Sequence, residues 1–283
     1  MMAKAKKKKV PGGDTVLVEF DNGIAWVTFN RPEKRNAMSP TLNNEMLEVV
    51  SALELDERCQ VLVLTGAGKA FSAGMDLKEY FREIDEADHV MQLHVQRVAE
   101  EWQWRKLRTF PKPTIAMVNG WCFGGAFAPM VACDLAIAAE DAVFGLSEIN
   151  WGIIPAGNVT RAIAETVNQR DALYYIMTGE NFDGRKASEI RLVNEAVPAD
   201  QLRTRVEELA RVLLEKNAAA LMTAREAYKF CREMNWETSA NFLHAKAEQA
   251  KMRDTEGGRE EGLSQFLDKK SFRPGLGAFK KED

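Results

Sequence analysis

Apolar and polar residues alternate with a period of two over Val16–Phe20 and again over Ile24–Phe29, and Asp21-Asn22-Gly23 separates the two runs. Alternation sends successive side chains to opposite faces of a strand, and an Asn-Gly pair accepts the positive φ angles of a tight turn, so the pattern predicts a β-hairpin. From residue 39 the period becomes helical. Ser39 suits an N-cap and Pro40 a first helical position, and Leu42, Met46, Val49, Val50 and Leu53 follow at the spacing of one helix face. Three later runs, Val61–Leu64, Thr114–Val118 and Leu135–Ala138, do not alternate, as expected of strands covered on both sides. Strands and helices interleave in this way to about residue 150, which predicts an α/β core of successive β-β-α turns. After Asn158 the chain reads as helical, with one short strand at Leu192–Val197 ended by Pro198. Asp200–Lys216, Ala218–Met234 and Trp236–Arg253 carry helical periodicity, and Glu256–Leu267 adds a further turn or two. The expected organisation is a disordered lysine-rich tail over residues 1–12, a mixed core over 13–199 and a helical region over 200–283.

Composition narrows the picture mainly by exclusion. The chain has 283 residues, enough for a substantial core, and a formal net charge of −4, too mild to mark a nucleic acid as partner. The local exception is the run Lys4, Lys6, Lys7, Lys8, Lys9, which reads as a solvated tail because no aromatic residues interleave to contact bases. It lacks the pattern of a transit or signal peptide, and no apolar run is long enough to cross a bilayer, so a cytoplasmic protein without a membrane partner is expected. Cys59, Cys122, Cys133 and Cys231 form no CxxC pair and are expected as reduced core thiols. With His89, His94 and His244 as the only histidines, neither a metal nor another cofactor is expected.

The candidate chemistry lies in two small-residue loops, each downstream of a buried strand. The first is Ala70-Phe71-Ser72-Ala73-Gly74-Met75-Asp76-Leu77, after Val61–Leu64; the second is Asn119-Gly120-Trp121-Cys122-Phe123-Gly124-Gly125-Ala126, after Thr114–Val118. Glycine lets a ligand approach the backbone closely, and a helix beginning just after such a loop turns unpaired N–H groups outward. Two N–H groups converging on one point form an oxyanion hole, which suits a thioester whose carbonyl oxygen gains negative charge during reaction. A phosphate loop is excluded, because Gly124-Gly125 is not followed by Lys-Ser or Lys-Thr.

Together with Asn30-Arg31-Pro32-Glu33-Lys34-Arg35-Asn36-Ala37, Cys133-Asp134 and Phe144-Gly145-Leu146-Ser147-Glu148, these loops resemble the crotonase (enoyl-CoA hydratase/isomerase) superfamily over nearly the whole chain. The resemblance implies an α/β fold with a ββα spiral core and a C-terminal helical trimerisation region, assembled as a trimer or hexamer. It implies an acyl-CoA substrate, with Met75 and Gly125 as oxyanion donors and coenzyme A contacts at Lys34, Ala73, Met75, Leu77, Gly125, Ser147 and Trp151.

Hydratases of that superfamily carry two glutamates. The second is present as Glu148, but the first falls on Ala128, which has no proton to exchange. A single Glu148 remains able to act as general base where the pocket desolvates it. Asn30–Pro40, Met75–Arg82, Trp102-Gln103-Trp104, Asn119–Gly125, Gly145–Gly152 and Asp254–Arg259 further resemble the hydroxycinnamoyl-CoA hydratase-lyases. That likeness implies hydration of a 4-hydroxycinnamoyl-CoA such as feruloyl-CoA, then cleavage to an aromatic aldehyde such as vanillin and acetyl-CoA. Tyr80 matches a phenol-contacting tyrosine. The chain departs from the pattern at Ala128, where a serine is expected, and at His244, where a second phenol-binding tyrosine is expected. Two other readings remain open: a single-glutamate hydratase or isomerase acting on a non-phenolic acyl-CoA, and a non-catalytic acyl-CoA- or RNA-binding relative.

Overall fold

The computed structural model describes residues 12–271 and 273; the lysine run lies outside them. β1 (Val16–Asp21) and β2 (Ile24–Phe29) form the expected antiparallel hairpin, Val16 opposite Phe29 and Asp21 opposite Ile24. Asn22 at φ 47° and Gly23 at φ 85° make the tight turn between them. The first helix runs over Pro40–Glu54, its Leu42 N–H bonded to the Ser39 side chain, and all five apolar positions that predicted it are buried.

Each predicted buried run is a strand of one six-stranded sheet. β3 (Val61–Gly66), β5 (Thr114–Val118) and β7 (Leu135–Ala139) stand side by side and parallel in the order β1-β2-β3-β5-β7-β10, where β10 is Glu195–Val197. A second sheet, absent from the sequence reading, is built of β4 (Ala70–Ser72), β6 (Trp121–Phe123), β8 (Val143–Gly145) and β9 (Asn181–Asp183) in the order β4-β6-β8-β9. Strands of three residues are too short to display a period.

The structure shortens the strand expected at Leu192–Val197, because the Leu192 and Val193 N–H groups bond to the Ala187 carbonyl and close the helix Gly184–Glu189. Their burial serves that turn, so pairing begins only at Glu195. β9 also interrupts the stretch expected to be helical after Asn158.

The division into compact units falls within the helix Leu202–Leu214. One unit runs to Phe110 and from Thr114 to Val206; the other comprises Pro111–Pro113 and the chain from Glu207 onward. In the second unit the helices Ala218–Cys231 and Trp236–Arg253 pack together, and Lys246 pairs with Glu226 at 2.7 Å. Asn217 caps the first of them and donates to Asp254 at 2.9 Å, and Gly258–Leu267 follows. Cys59, Cys122 and Cys133 are buried and Cys231 is partly exposed, none of them in a disulfide among the described residues. Among the described residues no helix is long and apolar enough to cross a membrane.

Candidate active site

Three successive turns of the chain deliver three residues to one place. Each turn passes from a large-sheet strand to a small-sheet strand and then into helical backbone: β3 to β4, β5 to β6, β7 to β8. Met75, Gly125 and Glu148 each follow the small-sheet strand by two or three residues. Because β4, β6 and β8 are neighbours and parallel, their ends lie side by side. Asn119 ties two of these turns together, donating to the Gly66 and Gly68 carbonyls at 2.8 and 3.0 Å.

The first loop is held by Arg31. Its Nη1 donates to Asp76 Oδ2 at 3.0 Å and to the Ala37 carbonyl at 2.7 Å, and its Nη2 donates to Glu79 Oε1 at 2.7 Å. Asp76 in turn accepts the N–H groups of Lys78 and Glu79, capping the π-helical turn Leu77–Arg82 that carries Tyr80. Burial acts to raise the Asp76 carboxyl, but the Glu79 N–H, Arg31 and the Lys78 N–H outweigh it and hold the carboxyl below its ordinary value. Asn36, buried at φ 56°, accepts from Arg31 N–H and donates to the Ala67 and Ala70 carbonyls. Arg31 and Asn36 lie inside the Asn30–Ala37 motif, yet sequence reasoning gave them no role. Arg31→Leu is expected to destabilise the protein by about 3 kcal/mol by leaving Asp76 without its buried partner. Urea unfolding measures this, and an unchanged midpoint would show the clamp to be energetically idle.

The bridge between Met38 and Met75 decides where the Met75 N–H points. Met38 N–H bonds to the Gly74 carbonyl and Asp76 N–H to the Met38 carbonyl, so the residues either side of Met75 make the bonds and its own N–H faces away. Among the described residues neither the Met75 nor the Gly125 N–H has an acceptor. The two backbones touch. A Cβ on Gly74, whose φ is 89°, would lie 2.6 Å from the Phe123 carbonyl oxygen and 3.1 Å from the Gly125 nitrogen. One on Gly125 would lie 2.9 Å from Met75 Cγ and 3.4 Å from the Met75 nitrogen. Behind Gly125 the short helix Phe127–Ala132 begins, with Ala128 buried on it.

Glu148 approaches from the third turn, in the first part of the 3-10 segment Ser147–Trp151. A Cβ on Gly124 would lie 2.9 Å from Glu148 Oε1, so the carboxyl stands directly against the second loop. Its Oε2 is buried and has no hydrogen-bond partner among the described residues. Burial raises the carboxyl above its ordinary value, partly offset by a backbone N–H. A desolvated carboxyl with one unpaired oxygen, against the loop that carries one of two unpaired N–H groups, is equipped to exchange a proton while negative charge develops on a neighbouring oxygen.

The other predicted residues are placed as follows. Tyr80 is half-buried on the turn after Met75, and burial together with the Glu100 charge raises its phenol above the ordinary value. Ala73 donates its N–H to the Arg35 carbonyl at 2.9 Å, which brings the exposed Lys34 segment against the first loop. Leu77 and Trp151 are exposed and Ser147 is half-buried, all in the unit that holds Glu148. His244 is exposed on the helix Trp236–Arg253, in the other compact unit.

The chain belongs to the enoyl-CoA hydratase/isomerase family, whose sequence profile matches residues 19–274. The hydroxycinnamoyl-CoA hydratase-lyase of Pseudomonas fluorescens is 60% identical over 267 residues, covering 94% of this chain and 97% of that one. The 2,3-dehydroadipyl-CoA hydratase of Escherichia coli is 30% identical over 256 residues, covering 90% and 96%. Among solved structures, the enoyl-CoA hydratase of Bacillus anthracis superposes with a TM-score of 0.82 at 27% identity, covering 95% of this chain and all of that one. The α/β spiral fold implied by the sequence motifs is thereby borne out.

Proposed function

We propose that the chain is a lyase that hydrates a 4-hydroxycinnamoyl-CoA and splits the product into an aromatic aldehyde and acetyl-CoA. The observation that carries this reading is the Glu148 carboxyl, with its Oε2 unpaired, set against Gly124 in the loop whose Gly125 meets Met75, in a chain so similar to a hydroxycinnamoyl-CoA hydratase-lyase. In the first step Glu148 takes a proton from water, the oxygen bonds to the β-carbon, and the electrons of the double bond move onto the thioester oxygen. The two N–H groups stabilise that enolate, whose α-carbon takes the proton back from Glu148 and leaves the carboxylate ionised for the next step. In the second step the β-hydroxyl loses its proton to Glu148, the Cα–Cβ bond breaks, and the aldehyde leaves. The electron pair again resides as an enolate in the same hole, and the proton held by Glu148 passes to its carbon, giving acetyl-CoA and restoring the carboxylate. One carboxyl serves both steps, which fits Ala128 in place of a second acid.

Lys34, Ala73, Leu77, Ser147 and Trp151 then contact coenzyme A, and Tyr80 the phenol. A neutral Tyr80 with its pKa raised stays a donor at neutral pH. Tyr80→Phe is therefore expected to lower kcat/KM about ten-fold for thioesters with a 4-hydroxyl and to leave cinnamoyl-CoA unchanged. Equal losses on both would remove Tyr80 from ring recognition. Self-association as a trimer or hexamer goes with this reading, and light scattering on the purified protein reads it as a multiple of 31.7 kDa.

The test of the function is incubation with feruloyl-CoA. Vanillin and acetyl-CoA in equal amounts are expected. Their absence at high enzyme concentration, or hydration of crotonyl-CoA without carbon–carbon cleavage, would overturn the assignment.

A further inference from the structure

Gln103 is a buried amide with no part in the mechanism above, and its surroundings connect it to the oxyanion site. It lies on the π-helical segment Glu101–Lys106, whose wider turn sends both Trp102 and Gln103 inward. Gln103 is only 5% exposed. Its Nε2 stands 3.4 Å from Met75 Sδ, 3.7 Å from Met38 Sδ and 3.4 Å from Asn43 Oδ1. Asn43 is fixed by the Trp102 indole, whose Nε1 donates to the same Oδ1 at 2.9 Å.

Met38 and Met75 are the two residues of the bridge that turns the Met75 N–H outward. The amide thus reaches the side chains of both bridged residues. On its other side the Met75 side chain meets Gly125, where a Cβ would come within 2.9 Å of Cγ and 3.3 Å of Sδ. The Met75 thioether is wedged between an amide donor and the second loop. An unbranched methionine has three rotatable bonds and fixes nothing by itself, so its single arrangement depends on such neighbours.

We infer that Gln103 is a positioning residue: by holding the Met75 thioether against Gly125, it fixes the spacing of the two N–H donors that receive the enolate oxygen. A sulfur acceptor is weak, but the amide has its second contact in Asn43, and the site requires a fixed geometry rather than a strong bond. A purely structural Gln103 would stabilise the fold without affecting the polarisation of bound thioester.

The inference rests on the oxyanion role proposed for Met75, and the experiment separates the two. In Glu148→Gln protein, which halts turnover, bound feruloyl-CoA should absorb at longer wavelength than free feruloyl-CoA, because N–H donors on the carbonyl draw electrons from the conjugated ring. Adding Gln103→Met, which keeps the volume and removes the donor, should at least halve that shift with Kd changed less than about two-fold. In the active enzyme Gln103→Met should lower kcat about ten-fold for hydration and cleavage alike, at nearly constant KM. Gln103→Leu should act in the same direction, and circular dichroism confirms that each variant is folded. No shift in Glu148→Gln protein alone would overturn the oxyanion reading and this inference with it. A full shift that survives both Gln103 substitutions would overturn the positioning role and leave that reading standing.

Discussion

Glu148→Ala is expected to lower kcat by about 10³-fold while acetyl-CoA still binds, since a positioned general base contributes on that order and the N–H donors are untouched. The carboxyl serves because it stands against Gly124 with Oε2 unpaired, so a proton arriving there finds no competing partner. A base must be ionised. With burial holding the Glu148 carboxyl above its ordinary value of 4.5, the acid limb of kcat/KM is expected above that pH and should vanish in the variant's residual rate. The same displacement fixes a stability effect. The folded protein binds this proton more tightly than the unfolded chain, so stability falls as pH rises from near 4.5 through the raised value. Glu148→Gln, which cannot ionise, should therefore raise Tm at neutral pH while abolishing turnover, the signature of a group kept at a cost in stability. Full activity in Glu148→Ala would remove the carboxyl from the mechanism.

Gly125→Ala should be nearly as severe for a different reason. The residue has no positive φ, so alanine causes no backbone strain; its methyl instead meets Met75 Cγ at 2.9 Å and the Met75 nitrogen at 3.4 Å. Either the first loop retreats or the second does, and the two donors no longer share one oxygen. A loss of about 10²–10³-fold in kcat is expected, as for removal of one oxyanion donor, with both hydration and cleavage affected. Stopped-flow measurement of each step would show it. Loss of one step alone would mean that the two enolates do not use the same hole. A variant that binds feruloyl-CoA normally and still turns it over at the parent rate would show that the loops tolerate the methyl.

Much of the local structure follows from the chain itself. The Asn22-Gly23 turn and the Ser39 cap with its buried helix face were legible because local hydrogen bonding and one-sided burial leave a pattern in the sequence, and the three unbroken apolar strands because burial on both faces leaves a continuous apolar run. The loops around Met75 and Gly125 were legible too, from small residues after buried strands, and Glu148 through the resemblance that its segment carries.

What the sequence did not contain was the second sheet. β4, β6 and β8 have three residues each, and their existence depends on pairing partners some fifty and twenty residues apart. That pairing brings the three turn ends together, and only the folded chain shows the Met75 N–H turned outward by its bridge to Met38. Arg31 and Gln103 were unassigned for the same reason: a buried guanidinium 45 residues from Asp76, or an amide 28 residues from Met75, acts across a distance that no local pattern records. Sequence determines the pieces because short-range geometry is periodic; the tertiary structure decides the site because its contacts join segments whose spacing along the chain is arbitrary.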